Sequence, residues 1–566
     1  MDRIIHSLMA DYLQATQIHE TEESDQFERF SSYCTIAQHY EEQYDIEDVI
    51  LGGGNDCGID SLAIVVNGHM VTSVEEIDDL IYINKGLSDI TFILTQAKTT
   101  PGFSSGDIGT FGAGAVDFFS VDHHMVRNDK VEEKGRIIDR IFQNAAQIKR
   151  NPECYLYYIT TGKWDDDQNC NARINTIVSD LLDMNIFSNV RFIPVGSKQL
   201  QQFYRETKEE IETTIRFEKR VLLPEIPNID EAYLGYVSFS EYLKLISYEN
   251  GDIRRNVFYD NVRDYQGNEN KVNAAISNTI TTNGDTFMLL NNGVTIICKS
   301  LSCSRDDFTL KGYQIVNGCQ TSHALYNNKH SVNGNLYVPV KIIETSNDET
   351  INSIIKGTNS QTTIPDEQLL ALTEFHRSLE AYYQTFSGDD RLYYERRSKQ
   401  YSNVPDIDRT RIITVSMQIK SVAAMFFDKP NLSSRYYGTL LKETDGLFAD
   451  GNSYIVYYTS AFLLFKLDNL FKLHLIPPEY KKYRYHMLMQ IKYDLAQGSI
   501  PQLNSKKIEG LCAKILDCAK VQENLLIVVE RVKQQIDKYV TDLADKDMVK
   551  SVPLVDSLRK EYLANR

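Results

Sequence analysis

Asp60, Gln96 and Lys98 have the side-chain types and the spacing of a phosphodiester-cleaving centre. Asp60 follows a glycine-rich turn (Gly52, Gly53, Gly54, Gly58) and opens the apolar run SLAIVV, whereas Gln96 and Lys98 end the run DITFILTQAK. Side chains alternate between the faces of a strand, so Gln96 and Lys98 share one face, and Asp60 on a partner strand can point at the same spot. Phosphodiester hydrolysis needs hard oxygen ligands for a divalent cation and a positive group beside the attacking water and the pentavalent phosphate. A carboxylate, an amide oxygen and an ammonium supply those three roles. Two plainer readings stand beside this one: Asp60 hydrogen-bonds the glycine turn, and Gln96 with Lys98 forms the solvated end of an edge strand. His123 and His124, after VDFFSV, have the side chains of metal ligands or a base, but adjacent histidines in a polar loop read as plain surface.

The elements that must position these residues alternate between helix and strand. Residues 24–40 carry Phe27, Phe30, Tyr33 and Ala37 at helical spacing, and Asp25 with Glu28 reads as a capping-box start, which gives Glu28 a purely structural explanation. LAIVVNGHMVTSV reads as a strand with a hairpin signal at Asn67-Gly68, and DITFILTQAK as its partner. A polar, glycine-rich loop over residues 99–114, a helix through IIDRIFQNAAQIKR, the strand CYLYYITTG, another helix and the short strand VRFIPVG follow. The expected order, α-β-β-β-α-β-α-β, is a mixed sheet with flanking helices over residues 1–220.

GNDCGIDSLAIVV followed by FILTQAK resembles the PD-(D/E)xK nuclease superfamily, in an Mrr-like form where Gln stands in place of the acid before x-Lys. FERF in the preceding helix is similar to that superfamily's first-helix glutamate position. The resemblance implies a restriction-endonuclease-like sheet and cleavage dependent on Mg²⁺ (or Mn²⁺). Asp60 would be the metal-bridging carboxylate, with the Gln96 side-chain oxygen and the Ala97 main-chain carbonyl as further ligands. Lys98 would polarise the water, and Glu28 would be a ligand or water-positioning group. An amide lacks the charge of a carboxylate, so metal affinity at such a site leans on Glu28.

Between residues 233 and 388 three polar turns interrupt apolar runs: FMLLNNGVTIICKS, GYQIVNGCQTSHALY and IIKGTNSQTTI. Asn292-Gly293 and Asn317-Gly318 suit tight turns, because Asn and Gly tolerate positive φ. QIVNGCQTSHAL reads as strand, turn and helix start, where Asn317, Gly318, Gln320 and Thr321 form either a nucleotide or anion turn or an ordinary helix cap. Gln320, Asn359 and Gln361 suit base recognition, and equally the satisfaction of buried turns. NNGVTII, IVNGCQT and TNSQTTI, with FYDNVRDYQG upstream, resemble the AIPR (abortive infection phage resistance) family over roughly residues 230–400. That resemblance implies bacterial antiphage defence in which nucleic acid is attacked. A second likeness, of VNGCQT to a box of ParB-like and DndB-like domains, implies nucleotide or DNA handling.

The whole chain of 566 residues is acidic, with a net charge of −18, which excludes a generic basic coater of nucleic acid. A polyanion must therefore meet a local site. Residues 391–411 hold six basic residues (Arg391, Arg396, Arg397, Lys399, Arg409, Arg411) against three acidic ones, interleaved with Tyr393, Tyr394 and Tyr401. Guanidinium groups grip phosphates and tyrosines stack on bases, so this stretch is the expected nucleic-acid contact, the alternative being a solvated helix face. Residues 127–150, seven basic against four acidic, are a second candidate. Residues 389–566 are helix-patterned, without a chemical motif, and suit packing or self-association.

Nine scattered cysteines without a CxxC pair read as reduced thiols, and no apolar run is long enough for a membrane span. The combined expectation is a cytoplasmic α/β protein with no membrane partner, forming a homo-oligomer, a dimer. It would carry an N-terminal nuclease-like domain, a central AIPR module and a helical C-terminal region, and would cut DNA, with RNA the other substrate left open. The competing expectation is a non-cleaving nucleic-acid or nucleotide sensor whose nuclease site is degenerate.

Overall fold

Every residue of SLAIVV is buried, so this segment has to run through the interior of a sheet covered on both faces. The computed structural model describes residues 2–564 apart from 21, 41, 209, 249–250, 252, 255–256, 259–270, 359–373, 397–399, 402–403, 405–406, 450, 498 and 544. The chain begins with helices α1 (Arg3–Thr16) and α2 (Glu23–Ile36), then strands β1 (Ser61–Val66) and β2 (His69–Met70) and helix α3 (Val74–Asn84). β3 (Ile90–Lys98), α4 (Ser105–Phe119), α5 (Asp129–Gln143), β4 (Glu153–Thr160), α6 (Gln168–Asp183), β5 (Asn189–Val195) and α7 (Ser197–Glu206) complete the first part. Its sheet has the order β2-β1-β3-β4-β5. β1 runs antiparallel to β2 and β3, and β3, β4 and β5 run parallel. Leu62, Ile64, Phe92, Leu94 and Leu156 face a core shared with α4, α5 and α6. Ala63, Val65, Ile93, Tyr155 and Tyr157 face a second core with α1, α2 and α7.

Asn67 and Gly68 both have positive φ, at 50° and 80°, as a two-residue hairpin turn requires. Other features depart from the sequence expectation, among them the further helices α3 and α7. α1 is a further helix, capped by the Asp2 carboxylate, which accepts hydrogen bonds from the Ile4 and Ile5 amides. α2 starts at Glu23 with no side-chain cap, so Asp25 and Glu28 form no capping box and Glu28 sits within the helix. The glycine-rich segment expected as a loop over 99–114 is helical from Ser105 onward. There the glycines are sites of close approach: a Cβ on Gly114 would lie 1.7 Å from the Cys57 carbonyl oxygen, and one on Gly112 would lie 2.2 Å from Ile177 Cδ1. Packing against the Cys57 turn and α6 overrides the weak helix propensity of glycine.

The central part contains a five-stranded mixed sheet and a three-stranded antiparallel one. Its elements are β6 (Glu212–Arg216), β7 (Lys219–Leu222), β8 (Glu231–Ser238), α8 (Phe239–Ile246), α9 (Lys271–Thr282), α10 (Phe287–Leu290) and β9 (Val294–Cys298). β10 (Ser300–Ser304), β11 (Asp307–Lys311), β12 (Gln314–Asn317), α11 (Cys319–Asn327), β13 (Tyr337–Glu344) and α12 (Asp348–Thr358) follow. The larger sheet runs β12-β9-β13-β8-β7, the smaller β10-β11-β6.

From Glu374 onward the chain is mainly helical. The helix Tyr454–Lys472 is buried around most of its circumference, which makes it the axis of this region. Helices Val415–Phe426, Arg484–Ala496 and Lys506–Lys520 surround it in one core that also takes in Phe375, Leu379 and Tyr383. This helical region docks directly onto the first sheet domain. Arg435 pairs with Asp79 of α3 at 2.6 Å, the Tyr436 amide donates to the same carboxylate at 2.9 Å, and the Tyr436 ring enters the sheet-domain core. Lys420 adds an ion pair to Glu76 at 3.2 Å. Among the described residues no helix is long and apolar enough to cross a membrane.

Gly114→Ala is expected to lower stability by about 1–3 kcal/mol through overpacking against the Cys57 carbonyl. Gly102→Ala, where a Cβ meets nothing within 4 Å, serves as the control. Equal thermal unfolding midpoints for the two variants would contradict this account of α4.

Candidate functional site

Asp60 stands at the mouth of the β1–β3 pair. Its amide donates to the Thr95 carbonyl (2.9 Å) and its carbonyl accepts from the Leu51 amide (2.8 Å), so the backbone is pinned from both sides. The preceding turn needs left-handed backbone at Gly53, Gly54, Asn55, Cys57 and Gly58. It is tied down by Asn128, whose side-chain amide donates to the Leu51 and Gly54 carbonyls at 3.0 and 2.9 Å. From β3, Gln96 donates its amide nitrogen to both Asp60 carboxylate oxygens (2.8 and 2.9 Å), and the Ala97 amide donates to Oδ2 at 2.6 Å. Asp60 therefore bonds the strand end across from it, and the glycine-turn hydrogen bond belongs to Asp56, which accepts from the Gly58 amide at 2.8 Å.

Glu28 approaches from α2. Thr35 on that helix meets Thr95 of β3 hydroxyl to hydroxyl at 2.9 Å, which fixes the helix against the strand. The cation next to Glu28 in sequence is engaged elsewhere: Arg29 pairs with Glu47 at 2.7 Å and Glu20 at 3.0 Å. Glu28 Oε1 is buried with no hydrogen-bond partner. A Cβ on Gly52 would sit 3.2 Å from that oxygen, so the glycine keeps the space beside it open.

Burial pushes the Asp60 carboxyl up to about 7, against the opposing effects of the Ala97 amide, Lys98 and Gln96. Burial, and next the charge of Asp60, pushes Glu28 up to about 8. Two neighbouring carboxylates held against their own ionisation, one with an orphaned oxygen, form an electrostatic deficit of the kind a divalent cation fills. Among the described residues no group of three or more His, Cys, Asp or Glu side chains is placed to hold a metal. The cluster brings together two carboxylates and the Gln96 side chain, and the Gln96 and Ala97 oxygens are the further ligands expected from the sequence. Gln96 presents nitrogen to Asp60 as it stands, and its oxygen is the atom a cation would take. Lys98, half-buried at the end of β3, is the cation acting on Asp60.

The structure also adds residues that motif reading passed over. Asp56 contributes to the rise of Asp60. Tyr158 pairs with Gln96 across the parallel β3–β4 ladder, and its buried hydroxyl has no hydrogen-bond partner. Burial first, then Asp107 and Asp60, raises this phenol above its ordinary range. Strand alternation in YLYYITT was the available signal.

The expected nucleic-acid stretch is a correction in its described part. Tyr394 is fully buried and hydrogen-bonded to His376 at 2.6 Å, so it offers no stacking face. Arg396 is buried in an ion pair with Glu380 at 2.5 Å. Arg391 caps the Tyr383 and Phe386 carbonyls, and Arg411 donates to the Asp389 and Arg391 carbonyls. Arg409 bonds Tyr33 of α2 and the Thr207 carbonyl. These groups hold the chain together rather than form a basic surface. Arg397 and Lys399 lie outside the described residues. In residues 127–150, Lys134 is buried and Arg140 pairs with Asp78. His123 and His124 are exposed, and His124 stands near Asp117 at 3.7 Å.

In the central turn Gly318 has φ 98° and caps α11, and a Cβ there would lie 2.8 Å from Val294 Cγ2. Asn317 donates to the Thr358 carbonyl at 2.8 Å, a structural bond, while Gln320 and Thr321 are half-buried on the first turn of α11. Asn359 and Gln361 lie outside the described residues.

A family model described as AIPR protein matches residues 258–544, half of the chain, from the central part through most of the helical region. No curated protein and no solved structure matches the chain.

The raised carboxyls give a signed pH dependence. A carboxyl whose folded pKa lies above its unfolded value of about 4 binds its proton more tightly when folded, so stability is lost as pH rises from there through the folded value. With chelator present, the melting temperature of the wild type is expected to fall between about pH 5.5 and 8.5, and Glu28→Gln to lessen that fall by roughly 2–4 °C. Identical pH profiles for the two proteins would contradict the coupled pair.

Proposed function

The chain belongs to the AIPR family, the abortive infection phage resistance proteins, and we propose that it is the nucleic-acid-cutting component of such a defence, a divalent-metal-dependent deoxyribonuclease. The observation that carries this reading is the meeting of Asp60, Glu28, Gln96 and Lys98 at one end of the first sheet, with both carboxyls raised and one oxygen unpartnered. Mg²⁺ or Mn²⁺ bound there would supply a Lewis acid and a water acidic enough to ionise near neutrality. Asp60 and Glu28, with the Gln96 and Ala97 oxygens, are the residues that would hold it. Lys98 neutralises charge on the phosphate face and steadies the attacking oxygen, and the Thr35–Thr95 contact keeps Glu28 in register with the strand end.

A second reading is favoured by a different observation. The Gln96 amide nitrogen already satisfies both Asp60 oxygens, an arrangement that closes the site without a cation and suits a sensor that binds nucleic acid without cutting it. The unpartnered Glu28 oxygen weighs for the enzyme, because a closed, inert site has no need to keep a second buried carboxylate unsatisfied.

Labelled DNA and RNA incubated with the purified chain, with Mg²⁺ or Mn²⁺ against chelator, test the proposal. Cleavage that needs metal and drops about 100-fold or more in Asp60→Asn and in Lys98→Ala is expected. Variants that cut at the wild-type rate would move the site elsewhere. Binding without cleavage under every metal condition would establish the sensor.

A further inference from the structure

The larger sheet of the central part is packed on one face and half open on the other. Val237 of β8 and Val338, Val340 and Ile342 of β13 are buried in the core on its inner side. Strand alternation turns their neighbours outward. At one end of that outer face Ala232 and Ile343 are buried with Ile355 of α12. At the other end the register sets Val221, Leu234 and Lys341 in one row across β7, β8 and β13, and Lys219, Tyr236 and Pro339 in the next. Val221 is 66% exposed, Leu234 48% and Tyr337, further along β13, 42%. These groups adjoin one another, and contiguous exposed apolar surface marks a place where something binds.

What this face would accept follows from the groups between the apolar ones. Its charges are Lys219, exposed, and Lys341, half-buried, and neither ammonium has an ion pair among the described residues. No carboxylate stands among these outward side chains, although the chain carries a net charge of −18. The Tyr236 and Tyr337 rings lie 5.3 Å apart at 80°. Ammonium groups take phosphates and open tyrosine rings take bases of any sequence. A duplex keeps its bases stacked inside and offers the tyrosines nothing. A ribose 2′-hydroxyl is best recognised by a strong acceptor, and the face has neither a carboxylate nor an amide side chain to supply one.

We propose that this open half of the sheet binds single-stranded DNA, with bases stacked on Tyr337 and Tyr236, sugars against Val221 and Leu234, and phosphates on Lys219 and Lys341. The two lysines stand two strands and two residues apart, about 12 Å by ordinary strand spacing and rise, so they take different phosphates of one strand. The face belongs to a different sheet from the Asp60 cluster, and the proposal does not rest on the nuclease reading.

Fluorescence anisotropy of a labelled oligothymidylate titrated with the full chain is the test, with chelator present so that binding is read without cleavage. Saturable binding is expected, weakened about tenfold in Tyr337→Ala and retained in Tyr337→Trp, which keeps a stacking face. Lys219→Gln with Lys341→Gln is expected to weaken binding and to flatten the slope of log affinity against log salt by about 1.4, the share of two phosphate contacts. Lys507→Gln with Lys514→Gln removes the same charge from an exposed helix and is expected to leave the affinity unchanged. Wild-type affinity in both sheet-face variants would overturn the proposal and place any bound strand elsewhere, the Asp60 cluster included. Absence of saturable binding, duplex DNA bound as tightly, or the RNA counterpart bound tenfold tighter would also overturn it, as would a dimer that Tyr337→Ala dissolves, which would give the face to a second copy of the chain.

Discussion

Two carboxylates set side by side in a protected place, Asp60 and Glu28, are the constraint around which the first domain is organised. Each is harder to ionise than a free carboxyl, chiefly through burial, and the charge of Asp60 makes Glu28 harder still. Holding them together requires rigid supports, and these are specific: the ladder of β1 with β3, the Thr35–Thr95 bond between helix and strand, and the Asn128 clamp on the glycine turn. Arg29, the next residue of the helix, offsets only part of the rise at Glu28 and pairs with Glu47 and Glu20.

The placement of Asp60 against the end of β3 was legible in sequence because it is local. Alternation along β3 puts Gln96 and Lys98 on one face, and the glycine turn announces that the chain must bend before Asp60. Glu28 was legible only as a motif position, since nothing in FERF says that Arg29 will turn elsewhere. The parts that escaped are those decided by distant contacts. α4 contains glycines that argue for a loop, but they are there because the Cys57 carbonyl and Ile177 come too close to this helix for any larger residue. The stretch 391–411 sums to a positive charge, yet Arg396 is neutralised by Glu380 and Tyr394 by position in the core, neither visible from a local count.

The helical region is more than a neighbour of the first domain. Arg435 and Tyr436 reach α3, Lys481 reaches Asp45, and Arg409 reaches Tyr33, so ion pairs, a buried ring and hydrogen bonds all cross the same seam. The family match covers the helical side of that seam and none of the sheet side. The contacts nonetheless make one body of the two.

Tyr436 fills a place in the core of a domain whose own last helix ends at Glu206. During synthesis that place stays empty while the intervening chain is made, a delay of roughly 10–50 s at ordinary ribosome speeds. The first domain is therefore born incomplete and is finished by a residue from far along the chain. A growing or truncated chain carries the Asp60 cluster before it carries the ring that completes the domain's core.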